Sequence, residues 1–241
     1  MMTYAEYAAA IGFRFVQPMT PLSRGVLRLR GALHRLGVEL DVAIARLPEG
    51  SVRMRRRLRR ACRIPRMSTF AIGAMINEAV ARMSPEHVFV NVGVWHGFTL
   101  LAAMAGNPDR RCVGVDNFSE FGGPRDAFLA RYSEVRSEQH AFHEMDYTEY
   151  FAHAHRGPIG CYIYDGEHSY ANQLRGLEAA EPFLAHGCIV LVDDTNDDDP
   201  RRATLDFVAA RRGEYRILLD RRTACNGHPT LWNGVMLVER V

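Results

Sequence analysis

The chain has 241 residues, of which 47% are hydrophobic and 24% charged, and its formal net charge is +2. These values exclude a disordered or fibrous protein and predict one large globular domain, or one domain with a smaller appendage. A net charge so close to zero argues against nucleic acid as a partner. All 30 basic residues are arginine, which excludes any mechanism that needs a lysine base.

The cysteines and the N-terminal residues indicate the cellular compartment. The five cysteines form no Cys-x-x-Cys pair, and their odd number gives no closed disulfide framework. This pattern predicts a reducing, cytoplasmic environment. The first residues lack the basic start and long apolar run of a signal peptide, and no apolar run approaches the roughly 20 residues that span a bilayer. We therefore expect no membrane partner.

Residues 1–67 are predicted to form a helical N-terminal extension. Apolar residues recur at helical spacing within 22–40, and eight arginines fall between Arg53 and Arg66. We interpret this arginine run as a solvated amphipathic helix, with an anion-binding surface as the alternative. The extension is expected to shape the substrate pocket or to form the contact of a homo-oligomer.

From about residue 85 onward, short apolar runs alternate with longer stretches of helical spacing. Continuously apolar, β-branched runs are typical of strands buried on both faces of a parallel sheet. Their alternation with helices predicts a doubly wound α/β fold over residues 68–241. No helix joins the last two runs, so we expect an antiparallel pair at one edge. The six runs are HVFVNV, CVGVD, IGCYIYD, GCIVLVDD, YRILLD and GVMLVERV.

Glycines and acids follow the first strands, at the edge where such a sheet binds ligands. Gly93 and Gly97 lie between a strand and a helix, where glycine permits a tight turn and close approach to a ligand. Their spacing is not the G-x-G-x-x-G of dinucleotide sites. Asp116, at the end of the next strand, is placed to accept both ribose hydroxyls of a nucleoside. Asp146 is placed either to accept an adenine amino group or to cap the following helix.

The chain resembles class I S-adenosylmethionine-dependent methyltransferases, and more narrowly the bacterial macrocin-type sugar O-methyltransferases. The resemblance lies in VNVGVWHGFTLL, CVGVDNF, YIYDGEHSY and FLAHGCIVLVDD, and it covers about residues 68–240. It implies a Rossmann-like, mostly parallel seven-stranded sheet with an antiparallel edge strand and helices on both faces. The family usually has an acid at position 91, to hold the methionine ammonium of the cofactor. The residues that the resemblance assigns to the cofactor are Asn91, Gly93, Gly97, Asp116 and Asp146.

Three carboxylates end two strands that this topology makes neighbours: Asp165, Asp193 and Asp194. They would repel one another unless protonated or paired with a cation, and oxygen ligands favour Mg²⁺. The resemblance points the same way, because metal-dependent O-methyltransferases hold at these positions a divalent ion that binds the acceptor hydroxyls. Asn196 is a further candidate ligand. The alternative is that Asp193 and Asp194 cap or turn the chain, as we expect of Asp197–Asp199.

His168 is the predicted catalytic base, with Asp165 beside it in the catalytic site. It lies three positions after Asp165, an offset at which catechol-type methyltransferases place a lysine base. Histidine can take a proton near neutral pH, so a pH limb is expected near the ordinary value of about 6.5. The alternative is a surface histidine that caps the helix starting near Ser169. The other histidine pairs are expected to be solvated: His140 with His143, and His153 with His155.

These features predict a cytoplasmic O-methyltransferase that uses S-adenosylmethionine and Mg²⁺. Its acceptor would be a small hydroxylated molecule, a sugar or glycosylated metabolite of natural product biosynthesis. Two alternatives stay open. A non-catalytic binding or assembly protein on the same fold is favoured by the uncharged Asn91, since fold does not fix function. A dinucleotide-dependent oxidoreductase is disfavoured by the glycine spacing.

Overall fold

The computed structural model describes residues 2–22, 24–48 and 50–241. In these ranges a seven-stranded sheet carries helices on both faces, and a small two-stranded sheet lies in the N-terminal extension. The α-helices are α1 (Tyr4–Ala9), α2 (Arg24–Arg35), α3 (Leu40–Ile44), α4 (Ser51–Leu58), α5 (Phe70–Arg82), α6 (Phe98–Met104), α7 (Arg125–Val135), α8 (Tyr147–Glu149), α9 (Tyr170–Ala180) and α10 (Asp198–Ala210). The strands are β1 (Gly12–Phe13), β2 (Ala45–Arg46), β3 (Val88–Val92), β4 (Arg111–Val115), β5 (His140–His143), β6 (Ile159–Tyr164), β7 (Leu184–Asp193), β8 (Tyr215–Arg221) and β9 (Val235–Arg240).

The large sheet has the strand order β5-β4-β3-β6-β7-β9-β8. Strands β3 to β7 pair in parallel, and β9 pairs antiparallel with both β7 and β8. The predicted fold class is confirmed, including the antiparallel pair at one edge. Because β3 to β7 are parallel, their carboxyl ends form one row, and this row is the ligand-binding edge of the sheet.

Alternate residues of the central strands feed two cores, one on each face of the sheet. Phe89 packs with helices α5 and α6, whereas Val88 and Val90 pack with α9 and α10. All five residues of β3 are buried. This burial on both faces explains why the runs are continuously apolar rather than alternating.

The N-terminal extension is fastened to α5 through Asp41. The Asp41 carboxylate accepts a 2.7 Å hydrogen bond from the Phe70 N–H and pairs with Arg66 at 3.0 Å. The arginine run is not wholly solvated, because Arg55 donates to the Ala45 carbonyl and Arg57 to the side chain of Asn77. The arginine run, which the sequence predicts to be solvated along its whole length, therefore partly anchors the extension to the rest of the protein.

Three local predictions are wrong. His140 and His155, expected to be solvated, are buried at 6% and 3% exposure. Burial lowers the pKa of both, which favours the neutral imidazole inside the fold. Helix α10 begins at Asp198 with Asp197 as its N-cap, so Asp199 lies inside the first turn and does not cap the helix. None of the described helices is long and apolar enough to cross a bilayer.

Candidate active site

A cavity of about 370 Å³ opens at the carboxyl ends of β3 to β7. This volume lies within the range of sites that enclose small molecules, roughly 300–1,000 Å³. The chain has two tryptophans, Trp95 and Trp232, and both line the cavity. Of the residues predicted for the site, those that line it are Gly93, Asp116, Asp146, Asp165, His168, Asp193 and Asp194.

Gly93 is required by a close approach of two chain segments. Its φ is 76°, and a Cβ at this position would lie 1.9 Å from the carbonyl oxygen of Asp165. Gly97, with φ 97°, is the N-cap of α6, and a Cβ there would lie 2.8 Å from the Phe128 ring. Gly97 does not line the cavity, so the structure gives it a packing role instead of the predicted cofactor contact.

Asp116 joins two loops at the cavity. One carboxylate oxygen, Oδ2, accepts from the backbone N–H groups of Val94 and Trp95 at 2.8 and 2.9 Å, and Oδ1 accepts from Phe118 at 2.7 Å. The Trp95 indole N–H in turn donates to the Phe121 carbonyl at 3.1 Å. A carboxylate can accept about four hydrogen bonds, so Asp116 keeps one acceptor position, on Oδ1.

Asn91 departs from its prediction. Its side chain is fully buried and does not line the cavity. The amide nitrogen donates to the carbonyls of Val92 and Gly93, at 3.2 and 2.9 Å, and the amide oxygen accepts from the Thr99 hydroxyl at 2.6 Å. The Asn91 amide therefore stabilises the glycine turn from its buried side. The side chain does not point into the cavity, where a cofactor ammonium would lie.

Asp146 lines the cavity and also caps a helix. Its Oδ1 accepts from the backbone N–H and the hydroxyl of Thr148, at 2.8 and 2.5 Å, at the start of α8. The capping alternative raised for this residue is therefore present in the structure. A contact to an adenine amino group would have to use the second oxygen.

The acids and the histidine predicted at the other half of the site converge. His168 Nε2 lies 3.5 Å from Asp165 Oδ1 and 3.7 Å from Asp194 Oδ2. Asp193 is 3% exposed, and its Oδ1 accepts from the Asp194 N–H at 2.9 Å. The helix-capping alternative for His168 does not hold, because Ser169 caps α9 with its own hydroxyl.

Burial and mutual charge set the ionisation of this cluster. Burial opposes the charging of His168, but the hydrogen bond and charge of Asp165, with the charges of Asp194 and Asp193, outweigh it and raise the pKa to about 9. Burial and the neighbouring carboxylates raise the pKa of Asp193 well above its ordinary value. Burial likewise raises the pKa of Asp194, although His168 opposes the rise. The expected limb near 6.5 therefore moves upward in this charge state.

A magnesium ion fits this cluster in donor type. Asp165, Asp193 and Asp194 supply oxygen ligands whose mutual repulsion a cation would relieve. However, the described residues hold no group of three or more His, Cys, Asp or Glu side chains arranged as a metal site. In this conformation the His168 imidazolium supplies the positive charge, and metal binding would require the side chains to move. Asn196 is directed elsewhere, since its amide donates to Thr223 and Asn226.

Strained backbone is concentrated at the cavity. Among the described residues five non-glycine residues have positive φ, and every one of them lines this cavity. Left-handed conformations of bulky residues cost of order 1–3 kcal/mol each and cluster at functional sites. The five residues are Trp95, Phe118, Phe121, Asp194 and Trp232.

Sequence reasoning missed four further residues that line the cavity: Met67, Ser68, Trp232 and Asn233. They lie outside the recognisable motifs, in the segment before α5 and in the connection from β8 to β9. The composition held one signal for Trp232. The chain has only two tryptophans, and the other, Trp95, lies two residues after Gly93 at the predicted ligand-binding turn.

Residues 90–195 match a family model described as a methyltransferase domain. The match begins within β3 and ends just after β7, so it contains the glycine turn, Asp116, Asp146 and the acid–histidine cluster. No curated protein matches the chain in sequence.

Solved structures share the fold over most of the chain. Cofactor-bound Rv0187 from MTB is 12% identical, with a TM-score of 0.58 over 92% of this chain and 99% of that chain. A protein from Corynebacterium glutamicum is 14% identical, with a TM-score of 0.57 over 90% and 98%. An O-methyltransferase from Bacillus cereus in complex with SAH is 12% identical, with a TM-score of 0.51 over 70% and 79%. The chain thus has the Rossmann-like fold of methyltransferases, and its residues 90–195 match a methyltransferase domain.

Proposed function

We propose that the protein transfers a methyl group from S-adenosylmethionine to a hydroxyl of a small molecule, a sugar or glycosylated metabolite. The observation that carries the proposal is that one cavity joins the Gly93 turn and Asp116 to the acid–histidine cluster. The first pair suits a nucleoside cofactor and the second suits the activation of a hydroxyl. The resemblance supports the sugar acceptor.

The cofactor is assigned to the half of the cavity around β3, β4 and β5. The residues fit it, since Gly93, Asp116 and Asp146 line this half of the cavity and Asp116 keeps one acceptor position on Oδ1. S-adenosylmethionine supplies a methyl group on a positively charged sulfur. Asp116 would bind a ribose hydroxyl, and Asp146 would bind the adenine amino group through the oxygen that does not cap α8.

His168 would remove the acceptor proton at Nε2. The neutral ring that accepts the proton would carry no hydrogen on Nε2, and the proton would arrive between Asp165 and Asp194, which stabilise the resulting imidazolium. His168 acts only when neutral, and the acids that stabilise its charged form also make the neutral form scarce below pH 9.

Asp165, Asp193 and Asp194 are the residues that would hold Mg²⁺. A bound ion would supply a Lewis acid that lowers the pKa of an acceptor hydroxyl. The support for this part is the donor type and the charge of the cluster.

Calorimetric titration with S-adenosylmethionine and with NAD tests the proposal. We expect S-adenosylmethionine to bind and NAD not to bind, and Asp116→Ala to weaken binding while Asp109→Ala, at an exposed acid, does not. A second measurement follows methyl transfer from labelled cofactor to a panel of glycosides. Preferred binding of NAD would favour the oxidoreductase. Cofactor binding without transfer to any acceptor would favour the non-catalytic protein.

A further inference from the structure

The cavity has a second half that no cofactor contact occupies. Asp165 and Asp194 directly follow β6 and β7, on the opposite side of β3 from β4, which Asp116 follows. Trp232 and Asn233 lie beside these acids, because they precede β9, whose Val235 pairs with Asp193. Met67, Ser68, Trp232 and Asn233 line this half, which we call the acceptor pocket.

Trp232 is held rigidly in this pocket. Its φ is 51°, and its N–H and C=O both bond to the backbone of His228 at 3.0 Å. The guanidinium of Arg30 lies 5.0 Å from the centre of the indole ring, and the same side chain donates to the Gly227 carbonyl at 2.7 Å. Trp232 also lines the cavity and is only partly buried. A fixed indole suits a flat or ring-shaped partner.

The N-terminal extension holds this wall in place. The Thr20 carbonyl lies 2.9 Å from His228 Nε2, and the Pro18 carbonyl accepts from the Ala224 N–H at 3.0 Å. The Thr69 hydroxyl donates to the Thr230 carbonyl at 2.8 Å, which brings Ser68 to the same wall. The extension therefore contributes directly to the shape of the acceptor pocket.

Ser68 presents a hydroxyl without a partner. The residue is 3% exposed and lines the cavity, and its Oγ has no hydrogen-bond partner among the described residues. A buried hydroxyl left unbonded costs about 1–3 kcal/mol, so such groups are rare unless a ligand or water completes them. Ser68 lines the same cavity as Trp232, so its unpartnered hydroxyl is available to a ligand hydroxyl.

The charge of the lining disfavours anions. The described lining contains seven carboxylates and two basic side chains, Arg66 and His168. Arg66 is already paired with Glu39 at 2.8 Å and with Asp41 at 3.0 Å, so little of its charge remains for a ligand. The seven carboxylates are Asp116, Glu120, Asp146, Asp165, Glu167, Asp193 and Asp194.

We propose that the acceptor pocket binds an uncharged ring that carries hydroxyls, stacked on Trp232 with one hydroxyl bound to Ser68, and that it rejects anionic analogues. The acceptor role of the pocket rests on the proposed methyltransferase function. Two sources share this chemistry, a sugar ring and a hydroxylated aromatic ring. The relative affinities of a glycoside and a catechol separate them.

The first test compares matched neutral and anionic probes by saturation-transfer NMR, with S-adenosylhomocysteine present to fill the cofactor half and chelator present to keep metal off the acids. The neutral probes are methyl β-D-glucopyranoside and catechol, and their carboxylate counterparts are methyl β-D-glucopyranosiduronate and 3,4-dihydroxybenzoate. We expect the preferred neutral probe to bind at least about 10-fold tighter than its counterpart, because like charges in a site are strongly disfavoured. The tighter neutral probe identifies the source. Equal or tighter binding of the carboxylates, or binding of neither neutral probe, would overturn the proposal.

The second test removes the pocket's contacts one at a time. Trp232→Ala should weaken binding of the neutral probe about 2- to 10-fold, because stacking on the indole is lost. Ser68→Ala should weaken it about 3- to 10-fold through a lost hydrogen bond. Arg30→Gln should weaken it about 2-fold, while Arg28→Gln, at an exposed arginine of the same helix, should not.

Cofactor affinity, measured by calorimetry on the same samples, distinguishes failure of the methyltransferase function from failure of the acceptor pocket alone. S-adenosylhomocysteine should bind the wild type and all four variants equally. If it does not bind the wild type, the methyltransferase function fails. If it binds but the probes ignore Trp232, Ser68 and Arg30, only the acceptor pocket is wrong.

Discussion

Replacing His168 by glutamine should remove a pH-dependent part of the protein's stability. The folded-state pKa of His168 is raised to about 9, against about 6.5 for the free side chain. Since a pKa raised by folding means that the native state holds the proton more tightly, the charged imidazole stabilises the fold. That difference corresponds to about 3 kcal/mol at 1.36 kcal/mol per pH unit. The side chain is 23% exposed, which makes the figure an upper value.

The sign of the effect follows from the same linkage. The contribution is fully present below about pH 6.5, where both states carry the proton, and it is lost as the pH rises through 9. Urea unfolding of the wild type in chelator should therefore show a free energy of unfolding that falls between pH 6.5 and 9.5. The fall should be about 2–3 kcal/mol smaller in His168→Gln. His186→Gln, at an exposed histidine, is the matched control and should retain the fall.

A direct titration provides an independent measurement. The imidazole carbon-bound protons of His168, assigned by comparison with His168→Gln, should titrate near 9 in chelator. Asp165→Asn should lower that pKa, because it removes the nearest carboxylate charge. A midpoint at or below 6.5, or a pH dependence of stability equal in the two histidine variants, would refute the ion-pair reasoning.

The remaining predictions concern the cofactor, the ion and the glycine turn. Asp116→Ala should weaken S-adenosylmethionine by about 1.5–3 kcal/mol; tryptophan emission reports this because both tryptophans line the cavity, and unchanged affinity would contradict the ribose assignment. Chelator should abolish methyl transfer and Mg²⁺ should restore it, while cofactor binding persists. Full activity in excess chelator would exclude a metal from the mechanism. Asn91→Asp should destabilise the fold by about 3–5 kcal/mol in urea unfolding, because a buried carboxylate would face the carbonyls of Val92 and Gly93; stability equal to wild type would show that the turn tolerates the charge.

Hydrophobic periodicity was sufficient to locate the central strands but not the edge strand β5. Every residue of β3 and β6 is buried, so their apolar runs are unmistakable. Strand β5, His140–His143, has only its first residue buried, and its sequence gives neither an apolar run nor a clean alternation. The resemblance implied seven strands, but the pattern itself located six. Tertiary pairing with β4, not local sequence, makes the seventh a strand.

Motif spacing placed the acids correctly but not the direction of every side chain. Asp165, Asp193 and Asp194 meet because parallel strands bring their carboxyl ends to one edge. Asn91 is one residue from the end of its strand, and the alternation of side chains along a strand turns it away from the cavity. Nothing local predicts Trp232, because its position depends on the contact between the N-terminal extension and the β8–β9 connection.

Charge conservation connects the base to the acids in the proposed reaction. Transfer would turn a positively charged sulfur into a neutral one, and His168 would take the hydroxyl proton, so the positive charge would move to the imidazole. Asp165 and Asp194 lie within 3.5 and 3.7 Å of the nitrogen that receives it. These carboxylates therefore stabilise the charge where it develops, which lowers the barrier. Their cost is a resting base that is mostly protonated at neutral pH. Mg²⁺ on the same carboxylates would reduce that cost, because a nearby cation lowers the pKa of His168. Metal and imidazolium thus compete for one set of oxygens, and the pH limb of transfer should move below 9 as Mg²⁺ is added.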